Sequence, residues 1–172
     1  MPAITVRPAH GGDVEALVRM RLVDAAWHVR LDPASYRVPD ERAVRRHFEN
    51  RLAVASDGSL LVAESAGHPV GMTEIELLPE PPDHLIRVER RRGTVHTVVL
   101  EPGRAGAVLL AAAERWAAAR EIEVLYADTF AANDEEARLY ERRGYCEVGA
   151  IRRKEITPTT DVTPLPARAP NG

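Results

Sequence analysis

The chain has 172 residues, 45% hydrophobic, 28% charged and 5% aromatic, with a formal net charge of -3 at pH 7. That length suits one core-bearing domain, and the charge argues against a nucleic-acid binder that relies on a large positive face. A single cysteine, Cys146, excludes an internal disulfide framework and a multi-Cys zinc site and points to the reducing cytoplasm; no apolar run approaches the ~20 residues of a membrane span, and residues 1–10 lack a signal-peptide core.

Ile4–Arg7 alternates as a short strand closed by Pro8 and Gly11–Gly12. Asp13 is a good N-cap, and Val14, Leu17, Val18 and Leu22 repeat at helical spacing, so a helix should run to about His28. A second helix is expected after Asp40, with Val44, Phe48 and Leu52 on one face. Leu60–Glu64 and Val70–Leu78 read as an antiparallel pair joined at Gly67–His68–Pro69. Residues 79–92 read as a surface loop, with room for a short strand at Leu85–Val88, and Thr94–Leu100 is the most strand-like run.

Residues 105–120 are helical by composition, with Leu109, Ala112, Ala113 and Trp116 as the buried stripe. Glu123–Asp128 reads as a strand. Asn133 opens a helix as the first member of a capping-box-like pair with Glu136, and Gly144 ends it. Tyr145–Ile156 reads as a final strand, and 157–172, with four prolines, as a disordered tail beyond a single 1–156 domain. The order β-α-α-β-β-β-α-β-α-β makes the fold α+β (mixed α/β).

Three stretches then align. They are ITVRP with the helix opened by Asp13, the hairpin LLVAESAGHPVGMTEI, and Asn133-x-x-x-Ala137-x-Leu139-Tyr140-Glu141-Arg142-Arg143-Gly144-Tyr145. Together they resemble the GNAT superfamily of acyl-CoA-dependent N-acyltransferases over about residues 3–156. The resemblance implies a twisted mixed sheet with a V-shaped splay between its fourth and fifth strands. Acetyl-CoA would lie in that splay as co-substrate, with no metal, and an amine would attack it directly. It implies a primary amine of a small molecule as acceptor, with a peptide or protein amine as the lesser option, and admits a homodimer. The alternative is a protein of the same fold that lacks acetyl-CoA activity and serves as a binding or partner module.

By the same resemblance, Tyr140 falls at the general-acid position, since a phenol with a pKa of roughly 10 can protonate a leaving thiolate; packing of a helix-face aromatic is the other account. Asn133 falls at a cofactor-contacting position and is equally a plain N-cap. Val98 and Leu100 are the strand positions whose backbone groups would meet the pantetheine arm or the thioester carbonyl. His96, on that strand, is the candidate general base or a strand histidine satisfied by a neighbour. Glu74 and Glu76 are rival bases, holders of a cationic substrate, or a solvated sheet face. Trp27, His28 and Tyr36 fall where the family forms its acceptor pocket; burial against the sheet serves as well. His10, His47, His68 and His84 show no metal-ligand spacing.

The diphosphate loop departs from the family pattern. Gly106 matches its last position and Ala107 follows, but Arg104 replaces a glycine and Glu101 an Arg or Gln. Arg104 would either block the backbone's approach to phosphate or pair with it, and Pro102 removes an N–H.

Overall fold

A computed structural model describes residues 3–54, 58–81, 90–100, 104–129, 133–151 and 153–154. Five strands form one sheet in the order β1 (Ile4–Pro8), β2 (Leu60–Ser65), β3 (His68–Leu77), β4 (Arg92–Val99) and β5 (Val124–Ala127). The first three pairings are antiparallel and β4–β5 is parallel. The parallel step needs a crossover, and α3 (Arg104–Ala118) supplies it. α1 (Val14–Leu31) and α2 (Glu41–Val54) connect β1 to β2, and α4 (Asp134–Arg142) follows β5.

Two cores flank the sheet, as alternation along its strands requires. Leu61, Ile75 and Val95 face α3 and pack with Leu109, Leu110, Ala113 and Trp116. Leu60, Val62, Met72 and Val98 face the other way and pack with Leu17, Met20, Val44 and Phe48 of α1 and α2. Tyr140 places α4 on the α3 face. Among the described residues no helix is long and apolar enough to cross a membrane.

Three local expectations change. Asp13 makes no side-chain cap to α1. It ends a 3₁₀ turn, Gly11–Asp13, that His10 caps, and its carboxylate takes the His10 N–H at 2.9 Å and the Arg7 guanidinium at 2.7 and 2.8 Å. The hairpin turn lies at Ala66–Gly67, both at positive φ (51° and 79°), so His68 and Pro69 already belong to β3. Such a two-residue turn matches the twist of the strands it joins. The final strand does not form over the described residues 145–151 and 153–154, and only nine of the expected ten elements are seen there. Among the described residues no strand pairs with them, and Val148 and Ile151 stand exposed. The expectations for Leu85–Val88 and for the tail lie outside the described residues.

Candidate functional site

Among the described residues the β4–β5 ladder stops where β5 ends. β4 and β5 pair from Arg92–Val124 to Val95–Ala127; β5 then ends and β4 continues to Val99. Backbone groups alternate sides along a strand. The Leu100 N–H donates to the Val70 carbonyl at 3.0 Å, and the Arg92 carbonyl accepts from Leu78 at 2.9 Å. Even-numbered residues of β4 therefore spend their backbone groups on β3. The groups turned away from β3 belong to Thr97 and Val99, one residue away from the expected Val98 and Leu100. Val98 is buried against α1 and α2, and Leu100 packs beside it.

On the α3 face, Tyr140 reaches this edge from α4. It is 5% exposed, its ring centroid lies 5.3 Å from that of Tyr145, and Thr97 is its polar neighbour on the sheet. Burial, reinforced by the Glu136 carboxylate, pushes the phenol well above its ordinary value, against the hydrogen bonding of Thr97. Thr97 shares a 2.8 Å hydrogen bond with Thr73, directly opposite on β3. Tyr145 is also held protonated, since burial pushes it up to about 12, and its hydroxyl has no partner among the described residues.

On the other face, β3, β4 and the end of β5 meet α1 and α2 around a cleft of about 510 Å³. Arg21, His47, Glu74, Glu76, His96 and Asp128 supply its charged and titratable walls. His96 Nε2 lies 3.3 Å from Asp24 Oδ2. Glu74 is no solvated sheet residue: it is 6% exposed, paired with Arg21, and hydrogen-bonded to His47 Nε2 at 2.9 Å. A carboxylate so engaged is poorly placed to act as a base. Glu76 stays exposed at the rim, and no ion pair to it or to Asp128 occurs among the described residues.

The remaining expected residues divide. Asn133 caps α4, accepting the Glu136 N–H at 3.3 Å, and its amide donates to Glu136 Oε2 at 2.9 Å, so both ends of the side chain are engaged. Arg104 is the exposed first residue of α3, Ala107 follows in the first turn, and Glu101–Gly103 lie outside the described residues. Gly106 is buried under α4: a Cβ there would stand 2.8 Å from Leu139 Cδ2. Its smallness serves helix packing in the first place. Trp27 and Tyr36 are exposed and do not line the cleft; Arg30 covers the Trp27 ring at 5.0 Å, and Tyr36 packs on His28 at 5.4 Å. His28 joins the site through Asp24, whose carbonyl accepts from its Nδ1 at 2.8 Å.

Sequence reasoning missed Asp24, Arg21, Asp128 and the electrostatic role of Glu136. Burial raises the Glu136 carboxyl, and Asp24 adds to this, while His96, His28 and the Asn133 amide pull it back. Asp24 had one legible signal, its i, i+4 spacing to His28 on one helix face.

The β4 edge turns the N–H groups of Thr97 and Val99 away from β3, with a protonated phenol beside them, and the first turn of α3 has N–H groups without acceptors inside the helix, the kind of end that suits a phosphate.

The sequence model of the acetyltransferase (GNAT) family matches residues 24–145. No curated protein sequence matches the chain significantly. Among solved structures, a mutant BH1408 protein from Bacillus halodurans superposes at TM-score 0.75 with 16% identity, over 88% of this chain and 99% of that one. An aminoglycoside N-acetyltransferase, AAC(6')-Iy in complex with CoA, superposes at 0.66 with 14% identity, over 91% and 96%. The yncA protein of Salmonella typhimurium, with its cofactor acetyl-CoA, superposes at 0.63 with 20% identity, over 86% and 82%. At these identities the likeness shows the fold.

Proposed function

This chain belongs to the GNAT acetyltransferase family, and from that premise we propose that it moves an acetyl group from acetyl-CoA to a primary amine of a small molecule. The observation that carries the reading is the parting of β4 from β5 after Val95–Ala127, with the backbone of Thr97 and Val99 and the Tyr140 phenol at one edge. Bound acetyl-CoA would supply an activated acyl thioester; the rest of the chemistry belongs to the chain.

The Thr97 and Val99 N–H groups polarise the thioester carbonyl and take the charge that develops on its oxygen. His96, reached from the cleft, removes the proton of the attacking amine. Tyr140 remains protonated through the working pH range and donates a hydrogen bond to the departing sulfur. Its raised pKa makes full proton transfer to a thiolate, whose thiol titrates near ~8.5, uphill. The phenol therefore acts by hydrogen bonding, and solvent completes the protonation.

The cleft supports the acceptor class. Its volume of about 510 Å³ falls in the range of small-molecule sites, and Glu76 and Asp128 on its walls favour a cation. The likeness to an aminoglycoside N-acetyltransferase is in keeping with that class. The test is release of free thiol from acetyl-CoA in the presence of a panel of primary amines, with His96→Ala in parallel. Amine-dependent thiol release, greatly reduced in the variant, is expected. Binding of acetyl-CoA with no transfer to any amine would make the chain a binding module.

A further inference from the structure

We propose that Asp24 is the positioning residue for His96, its carboxylate accepting the Nε2–H and so leaving Nδ1 as the nitrogen that takes the amine proton. This rests on the reading of His96 as the base. The two side chains meet from different elements, α1 and β4, at 3.3 Å between Asp24 Oδ2 and His96 Nε2. Asp24 is 16% exposed and His96 40%, so the carboxylate sits behind the imidazole and the imidazole faces the cleft.

Asp24 is itself braced. Arg21 Nη1 stands 3.9 Å from its Oδ2, and His28 Nδ1 stands 3.4 Å from its Oδ1. These residues fall on one face of α1, so the helix fixes the carboxylate before any substrate arrives. A carboxylate that accepts from one ring nitrogen sets the tautomer and makes the other nitrogen more basic. In the transfer step, the amine nitrogen bonds to the acetyl carbon as its proton passes to Nδ1. The carbon–sulfur bond breaks with its electron pair going to sulfur. The imidazolium keeps its Nε2–H on Asp24, which stays ionised, and later returns the proton to solvent.

The groups that bias His96 come from every element around it. Arg21, Asp24 and His28 stand on α1, His47 on α2, Glu74 opposite on β3, Asp128 just after β5, and Glu136 on α4. Arg21 and His47 are engaged with Glu74. Asp24 is then the carboxylate left in contact with the imidazole, at 3.3 Å.

The test uses the full chain with Asp24→Asn, Asp24→Glu, His96→Ala and the Asp24→Asn/His96→Ala double variant. Nitrogen-15 NMR of the imidazole should show the Nε2–H tautomer in the wild type. Asp24→Asn should give mixed tautomers, and Asp24→Glu should keep the wild-type tautomer. With acetyl-CoA and tyramine or 1,4-diaminobutane as probes, Asp24→Asn should lower kcat about 100-fold. KM for acetyl-CoA should stay within about twofold. The double variant should be no slower than His96→Ala, because the two residues act as a unit. An unchanged tautomer in Asp24→Asn, or an equal loss with and without His96, would overturn the proposal. Wild-type rates in His96→Ala would instead remove His96 as the base, and the NMR result would still decide whether Asp24 orients it.

Discussion

Burial and the Glu136 carboxylate keep the Tyr140 phenol protonated, so its contribution is a donated hydrogen bond. Tyr140→Phe should lower kcat by about 10²-fold and leave KM for acetyl-CoA nearly unchanged, as steady-state kinetics would read. An unaltered kcat would reduce Tyr140 to packing. Glu136 carries the opposite kind of information. Its folded pKa is raised, chiefly by burial, so between the unfolded and the folded values the folded state holds a proton that the unfolded chain has already released. Stability on that account is full below the unfolded value, near pH ~4.3, and is lost as pH rises through the folded value. Glu136→Gln should therefore melt higher than the wild type at pH 7, with the difference vanishing below about pH 4, in thermal melts across that range. The sequence named His96 and Glu76, which the fold brings to the cleft, Tyr140, which it brings to the β4 edge, and Asn133, which caps α4. Asp24 was not legible there, because its partner lies 72 positions away and only the packing of α1 on β4 brings them together.

Element by element, hydrophobic periodicity located β1 to β5 and all four helices within a few residues of their ends. It failed for residues 145–151, which pair with no strand among the described residues. Backbone parity was also invisible: the side chains of Val98 and Leu100 say nothing about which way their N–H groups point, and only the β3–β4 register settles it. Gly106 shows how a loop motif can be a packing feature. Gly106→Val should cost about 1–3 kcal/mol by overpacking against Leu139, and that cost should shrink in a Leu139→Ala background, as urea melts of the cycle would measure. Equal costs in both backgrounds would contradict the contact. At the other end of the sheet, burial pushes Asp13 up, but the bonds from Arg7 and the His10 amide outweigh it and hold the carboxyl below its usual range. That stability is present above the unfolded pKa, near ~3.9, and is lost as pH falls through the folded value. Asp13→Asn should flatten this acid loss and loosen the 3₁₀ turn that its carboxylate holds, as thermal melts at acid and neutral pH would read.

For the whole molecule, the two cores hold a sheet whose last pairing is deliberately short: four β4–β5 pairs, then an edge with nothing described beside it. A ligand that fills such an edge should stabilise the fold. Acetyl-CoA at 100 times its Kd should add about 2.7 kcal/mol, which for a chain of this size raises Tm by about 5–10 °C. No shift at millimolar acetyl-CoA would leave a fold without its co-substrate. The central claim, that this edge receives the thioester arm, is tested most directly by amide hydrogen exchange at β4 with and without saturating acetyl-CoA. Thr97 and Val99 should exchange markedly more slowly in its presence, while Leu100, already bonded to Val70, should change little. Unchanged exchange at Thr97 and Val99 under saturation would contradict the account.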